Sequence, residues 1–207
     1  MRKMPVLVAI KKLNRQVFTT REIAMLHGAS APAATQALNR LAQNGILLKV
    51  CKGVWALQMG TGLLSPYSVI QFIMPVHRAY VSFLSALHLY GIIEQIPQSV
   101  MLASTSHTRT IKTKLGTFYV HKIAAGFFKG FGWYRDTGEF LIAEPEKALI
   151  DCLYLSARKK RQFGYFPELH FPKSFSFKKA RQWAQVIPDK RIRIAVLRKL
   201  KAINATR

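Results

Sequence analysis

Residues 19–57 read TTREIAMLHGASAPAATQALNRLAQNGILLKVCKGVWAL, and this stretch decides the architecture of the N-terminal part of the chain. Thr19 and Glu22 stand three apart ahead of Ile23, Ala24 and Leu26, the spacing at which a capping threonine and a reaching glutamate satisfy each other's backbone donors. A short helix is therefore predicted from Thr20 to the stop at His27 and Gly28. After one tight turn Ser30 caps a second helix, which tolerates Pro32 in its first turn because early helical N–H groups have no partner there. That helix is predicted to reach Asn44. Gly45 stops it, and residues 46–50, the Cys51-Lys52-Gly53 turn and residues 54–57 then read as a two-stranded hairpin. Helix, turn, helix and hairpin in this order make a winged helix-turn-helix.

A periodicity of 100° per residue places Ala34, Ala37, Leu38 and Leu41 on one face of the second helix, the face a small core would cover. Gln36, Asn39, Arg40 and Gln43 point away, and Lys49 and Lys52 lie near the hairpin tip. Amides and arginine are the side chains that pair bidentately with adenine and guanine edges. An acid-free face of this kind suits a major groove. The same residues also suit a plain helical hairpin with a polar solvent face.

The 207 residues suffice for one large domain or two small ones, and half of them are apolar, enough to bury a core. Thirty-two basic against 9 acidic residues give a net charge of +23, which points to a polyanionic partner, nucleic acid ahead of an anionic membrane surface. No apolar run approaches the ~20 residues needed to span a bilayer. Lys11 and Lys12 interrupt the first apolar run where a signal peptide would continue, so the cytoplasm, at the nucleoid, is the expected location. Two cysteines, Cys51 and Cys152, make neither a disulfide framework nor a metal site, and six scattered histidines show no ligand spacing. No metal and no cofactor are expected.

Ahead of the winged module, residues 4–13 carry Val6, Leu7, Ile10 and Leu13 at helical spacing, a packing helix. Two glycines in residues 59–65 break the periodicity and read as a linker. Domains at 1–58 and 65–207 follow. The first 58 residues balance to +8, residues 59–150 to +3 and the last 57 to +12, so basic charge gathers at the two ends. Ser65 and Pro66 open a helix to Met74, with a strand over 68–73 as the alternative. Residues 82–90 form a helix stopped by Gly91, with Phe83, Leu84 and Leu87 on its aliphatic face. Residues 99–104 and 110–123 then read as strands, the latter a hairpin about Leu115-Gly116 with Phe118 and Val120 inward and Lys112, Lys114 and Lys122 outward. The aromatic and glycine-containing residues 127–134 read as a turn before a strand over 140–143. The fold class is α+β, a winged helix-turn-helix followed by a mixed α/β domain that ends in basic helices.

Glu144, Glu146 and Asp151 beside Lys147 invite comparison with metal-dependent nucleases that use an acid followed by Glu-x-Lys. The spacing does not fit, because Glu146 is followed directly by Lys147. Acids at the N-terminus of a helix over 145–156 interact well with its dipole and need no further role. The run Arg158, Lys159, Lys160 and Arg161 reads as a solvated loop or a phosphate-facing one. Ser176 or Ser174 caps a helix to Ile187, and Asp189 caps one over 190–203, where Ile192, Val196, Leu200 and Ile203 form the apolar stripe. With the 158–161 run, Arg191 and Arg198 make a candidate second surface for DNA or a partner.

Three ordered motifs carry a family resemblance. They are ALNRLAQNGIL followed by KGVWAL in the winged module, YVSFLSALHLYGII at 80–93, and AEPEKALID at 143–151. Over most of residues 15–160 the chain resembles the AbiEi family of antitoxin repressors from abortive-infection toxin–antitoxin systems. Members carry an Arg-Gly-Val-Tyr-like wing strand; Lys52 and Trp55 take the outer places here. The resemblance implies a transcriptional autorepressor that binds repeats in its own promoter. A larger C-terminal domain serves to counter a nucleotidyltransferase-like toxin, which it need not touch.

The expected function is thus a non-catalytic antitoxin and sequence-specific DNA-binding repressor that assembles cooperatively on its operator. Ser30 meets phosphate, Gln36, Asn39, Arg40 and Gln43 face the bases, and Lys49 and Lys52 hold backbone or an adjacent minor groove. Two alternatives stay open: a metal-dependent enzyme acting on nucleic acid through Glu144, Glu146 and Asp151, and an RNA-binding module that prefers single strands.

Overall fold

The computed structural model describes residues 4–58, 64–76, 78–136, 140–158, 163 and 166–205. It is a mixed α+β protein, and its chain divides into two compact units, Met1–Pro75 with Lys112–Gly116, and Val76–Ile111 with Thr117–Arg207. The first of these units runs to Pro75 and also takes in residues 112–116.

In the first unit, α1 (Val6–Lys12), β1 (Val17–Thr19), α2 (Thr20–His27), α3 (Ala31–Gln43), β2 (Leu47–Cys51) and β3 (Val54–Leu57) follow in order. Local chemistry sets the ends of α2. The Glu22 N–H donates to Thr19 Oγ1 at 3.3 Å, and the Thr19 N–H donates to Glu22 Oε2 at 2.8 Å. Gly28, at φ +67°, adopts the left-handed conformation that ends the helix. The strands pair antiparallel in the order β1-β3-β2, with a bulge between Lys49 and Cys51. Ala9, Ile10, Phe18, Ile23, Leu38, Leu47 and Trp55 form the core.

Two expectations about this unit need correction. The stripe on α1 is rotated, because Ala9 and Ile10 are buried whereas Leu7 is 43 % exposed. Strand β1 has no counterpart in the sequence reading: three residues ending at a helix cap show no period of two, and only pairing with β3 makes them a strand. After β3, Ser65 caps a 3₁₀ turn over Pro66–Val69 that continues into α4 (Ile70–Ile73), so the segment is helical and not a strand.

Apart from Lys112, Thr113 and Gly116, which fall to the first, the second unit holds β4 (Ala79–Val81), α5 (Phe83–Leu89), β5 (Val100–Ser104), β6 (Arg109–Thr113), β7 (Gly116–Lys122), β8 (Phe131–Trp133), β9 (Leu141–Ala143), α6 (Pro145–Arg158), α7 (Phe177–Gln185) and α8 (Lys190–Ala205). Its mixed sheet has the order β6-β7-β5-β4-β9-β8. β4 runs antiparallel to β5 and parallel to β9, and β5 runs parallel to β7. Phe118 and Val120 face inward, as their alternation predicts. Strands β4 and β8 are the corrections. Residues 131–133 lie inside the expected turn, yet they pair antiparallel with β9 from Phe131 opposite Ala143 to Trp133 opposite Leu141. Helix α6 is the centre of this unit, buried at every residue from Glu146 to Ser156 and packed by α5, α7 and α8.

Candidate nucleic-acid interface

Helix α3 begins where Ser30 Oγ accepts the Ala33 N–H at 3.4 Å, with Pro32 in the first turn. Its apolar positions Ala34 and Leu38 are wholly buried, with Ala37 and Leu41 half-buried beside them. Packing on that face leaves Ser30, Gln36, Arg40 and Gln43 exposed and Asn39 half-buried. Leu38 and Leu41 are thus the lever that orients the amide-rich face. Helix α3 contains no acid, so nothing on it repels a phosphate.

The hairpin packs against α3 through β2. Lys52 is exposed in the two-residue turn, next to Gly53 at φ +77°. Lys49 is also exposed, and its Nζ lies 5.2 Å from the centroid of the Trp55 ring, close enough for a cation–π attraction. Trp55 itself is fully buried, and its Nε1–H donates to Thr20 Oγ1 at 2.8 Å. Within this one unit the structure gathers the N-cap of α3, its polar face and both hairpin lysines. The Cys51 thiol beside them is pushed up by partial burial, which disfavours the reactive thiolate.

Of the candidate basic surface on the second unit, Arg158, Arg191 and Arg198 are among the described residues. Arg158 closes α6 and donates to the Tyr154 hydroxyl at 3.2 Å, whereas Lys159, Lys160 and Arg161 lie outside the described residues. Arg191 and Arg198 are exposed on α8.

The three carboxylates weighed as metal ligands are each held by other groups. Glu144 Oε2 accepts the Trp183 Nε1–H at 3.0 Å and pairs with Lys179 at 3.1 Å. Glu146 Oε1 accepts the Ser176 N–H at 2.9 Å, which ties the start of α7 to α6. Asp151 is completely buried and pairs with the completely buried Lys147. Ser82 Oγ donates to Asp151 Oδ2 at 2.7 Å and the Tyr80 hydroxyl donates to it at 3.1 Å, while Lys147 Nζ donates to the Tyr80 oxygen at 2.9 Å. Burial pushes the Asp151 carboxyl up and the Lys147 ammonium down, and their mutual attraction opposes both shifts. Among the described residues no group of three His, Cys, Asp or Glu side chains is placed to hold a metal.

Sequence reasoning about the helix dipole missed this pair. The signal was present: Lys147 and Asp151 are four apart, and Ala148, Leu149, Ile150, Cys152 and Leu153 leave the helix no wet face for them. No protein-family model matches the chain, and no curated protein matches it. Among the described residues no helix is long and apolar enough to cross a membrane.

Proposed function

We propose that this protein is an antitoxin of the AbiEi kind, a sequence-specific DNA-binding autorepressor without catalytic activity. Its first unit is read as a winged helix-turn-helix, with α2 and α3 as the helix pair and β2–β3 as the wing. The observation that carries this reading is the outward face of α3, where Gln36, Arg40 and Gln43 are exposed, Asn39 is half-buried and no acid is present. Amide and guanidinium groups on one helix face match the donor and acceptor pattern of base edges in a major groove. Ser30 at the helix start and Lys49 and Lys52 on the wing suit the flanking phosphates, which fix register and carry no base information. Arg191 and Arg198, exposed on α8 of the second unit, offer a separate basic surface for cooperative assembly on an operator, and the 158–161 run is basic in sequence.

The three motifs that resemble the AbiEi family support the antitoxin half of the reading, with a nucleotidyltransferase-like toxin as the functional counterpart. The deciding experiment is a titration of the purified protein against duplex DNA from upstream of its own gene and against a scrambled duplex, across salt. A preference of about a thousandfold for the upstream DNA establishes specific repression. Equal binding to both, with equally steep salt dependence, refutes it.

A further inference from the structure

Helices α7 and α8 of the second unit enclose a surface groove of about 780 Å³. Phe177, Leu197 and Leu200 lie in it as an apolar floor, and Lys178 and Arg181 line it from α7, Arg198 and Lys201 from α8. Each pair of cations is spaced by three residues, which makes a row one turn long on its helix. All four side chains belong to exposed residues, and none forms an ion pair or a side-chain hydrogen bond among the described residues. Their neighbours differ. Lys179 pairs with Glu144, Lys199 donates to Ser156 Oγ, and Arg193 donates to the Ile187 carbonyl at 3.2 Å. The fold thus uses the cations beside the groove and leaves the four within it without a side-chain partner among the described residues. No acidic residue lines it among the described residues.

We propose that this groove docks an acidic amphipathic helix of a partner protein. Apolar side chains spaced i, i+3, i+4 and i+7 seat on Phe177, Leu197 and Leu200, and carboxylates on the flanks of that stripe meet the two cation rows. An apolar floor distinguishes this occupant from a nucleic-acid backbone, which needs the charges but gains nothing from covering leucine and phenylalanine. A second copy of the chain does not fit, because its described α-helices carry only Glu22, Glu146 and Asp151 as acids, and the latter two are buried. The inference leaves the α3 reading of the operator untouched but shares Arg198 with the second DNA surface proposed above, so on that side chain the two uses compete.

The test uses the full chain and a fluorescein-labelled peptide of about 18 residues, long enough for five helical turns. The peptide is built from leucine at i, i+3, i+4 and i+7 with glutamate on both flanks, and a scrambled peptide of identical composition serves as control. Anisotropy is expected to show saturable binding of the patterned peptide only. Arg181→Glu combined with Lys201→Glu is expected to weaken it about tenfold or more, while binding to upstream DNA by the first unit stays unchanged. If the reversals lower the melting temperature, Arg181→Gln with Lys201→Gln replaces them, with the same direction expected. Equal binding of the scrambled peptide, absence of binding, or no effect of the substitutions overturns the proposal. Tighter binding of a labelled DNA duplex that is lost in the same variant also overturns it and gives the groove to nucleic acid.

Discussion

Lys147 and Asp151 stand one turn apart on α6, and their ion pair is closed off from water on every side. The Lys147 ammonium also lies 3.7 Å from the centroid of the Phe127 ring. Through Tyr80 and Ser82 the pair fastens the end of β4 and the start of α5 to the central helix.

Removing one partner leaves the other charged and buried. Lys147→Met is expected to cost about 3 to 5 kcal/mol in urea denaturation. Adding Asp151→Asn removes the stranded carboxylate and keeps an acceptor for Ser82 and Tyr80. The double variant is therefore expected to be more stable than Lys147→Met alone. A double variant less stable than either single one contradicts this account.

Gly130 offers a second tightly specified point. It sits at φ +73°, and a methyl group there would meet the Trp183 ring at 2.6 Å, while Trp183 is held by its bond to Glu144. Gly130→Ala is expected to destabilise the protein by about 2 to 4 kcal/mol, from backbone strain and overlap together. In a Trp183→Leu background the overlap part of that loss should vanish, so the alanine costs less there by the same thermal or chemical denaturation measurement.

The capping box of α2 predicts a pH dependence. Burial pushes the Glu22 carboxyl up, but the Thr19 N–H, Arg15 and the Thr19 hydroxyl outweigh it and hold the group below its ordinary value. A carboxyl with a depressed folded pKa contributes stability above the unfolded value of about 4.3, and that contribution is lost as pH falls through the folded value. Wild type is therefore expected to melt higher than Glu22→Gln at pH 7, with the gap closing toward pH 3. Thr19→Ala, which removes the cap itself, is expected to cost about 1 kcal/mol at neutral pH.

On the DNA-binding reading proposed above, two classes of contact are expected to separate. Arg40→Ala is expected to weaken upstream DNA binding by about 1 to 3 kcal/mol and to relax preference at one base pair. Lys52→Ala should weaken upstream and scrambled duplex alike and reduce the salt slope by about 1. Equal losses on both duplexes for both substitutions would refute the division of roles on α3 and the hairpin.

Much of the secondary structure was legible because its signals are local. Thr19 with Glu22, Ser30 with Ala33 and Asp189 with Ile192 each act over three residues, so each helix start is written within one turn of chain. The Cys51-Lys52-Gly53 turn and the alternation about Phe118 and Val120 are equally short-ranged. Strands β1, β4 and β8 are three residues each, too short for a period, and exist because a neighbour supplies the other half of their hydrogen bonds.

Helix caps, hairpins, the acid-free face of α3 and the gathering of basic charge toward the two ends depend on residues a few positions apart or on composition, so the linear chain carries them. Packing alone denies Lys147 and Asp151 access to water, binds Glu144 and Glu146 to α7 and its cap, and brings four cations from two helices to line one apolar groove. Burial and convergence belong to whichever elements pack together, and no single stretch of chain carries that information.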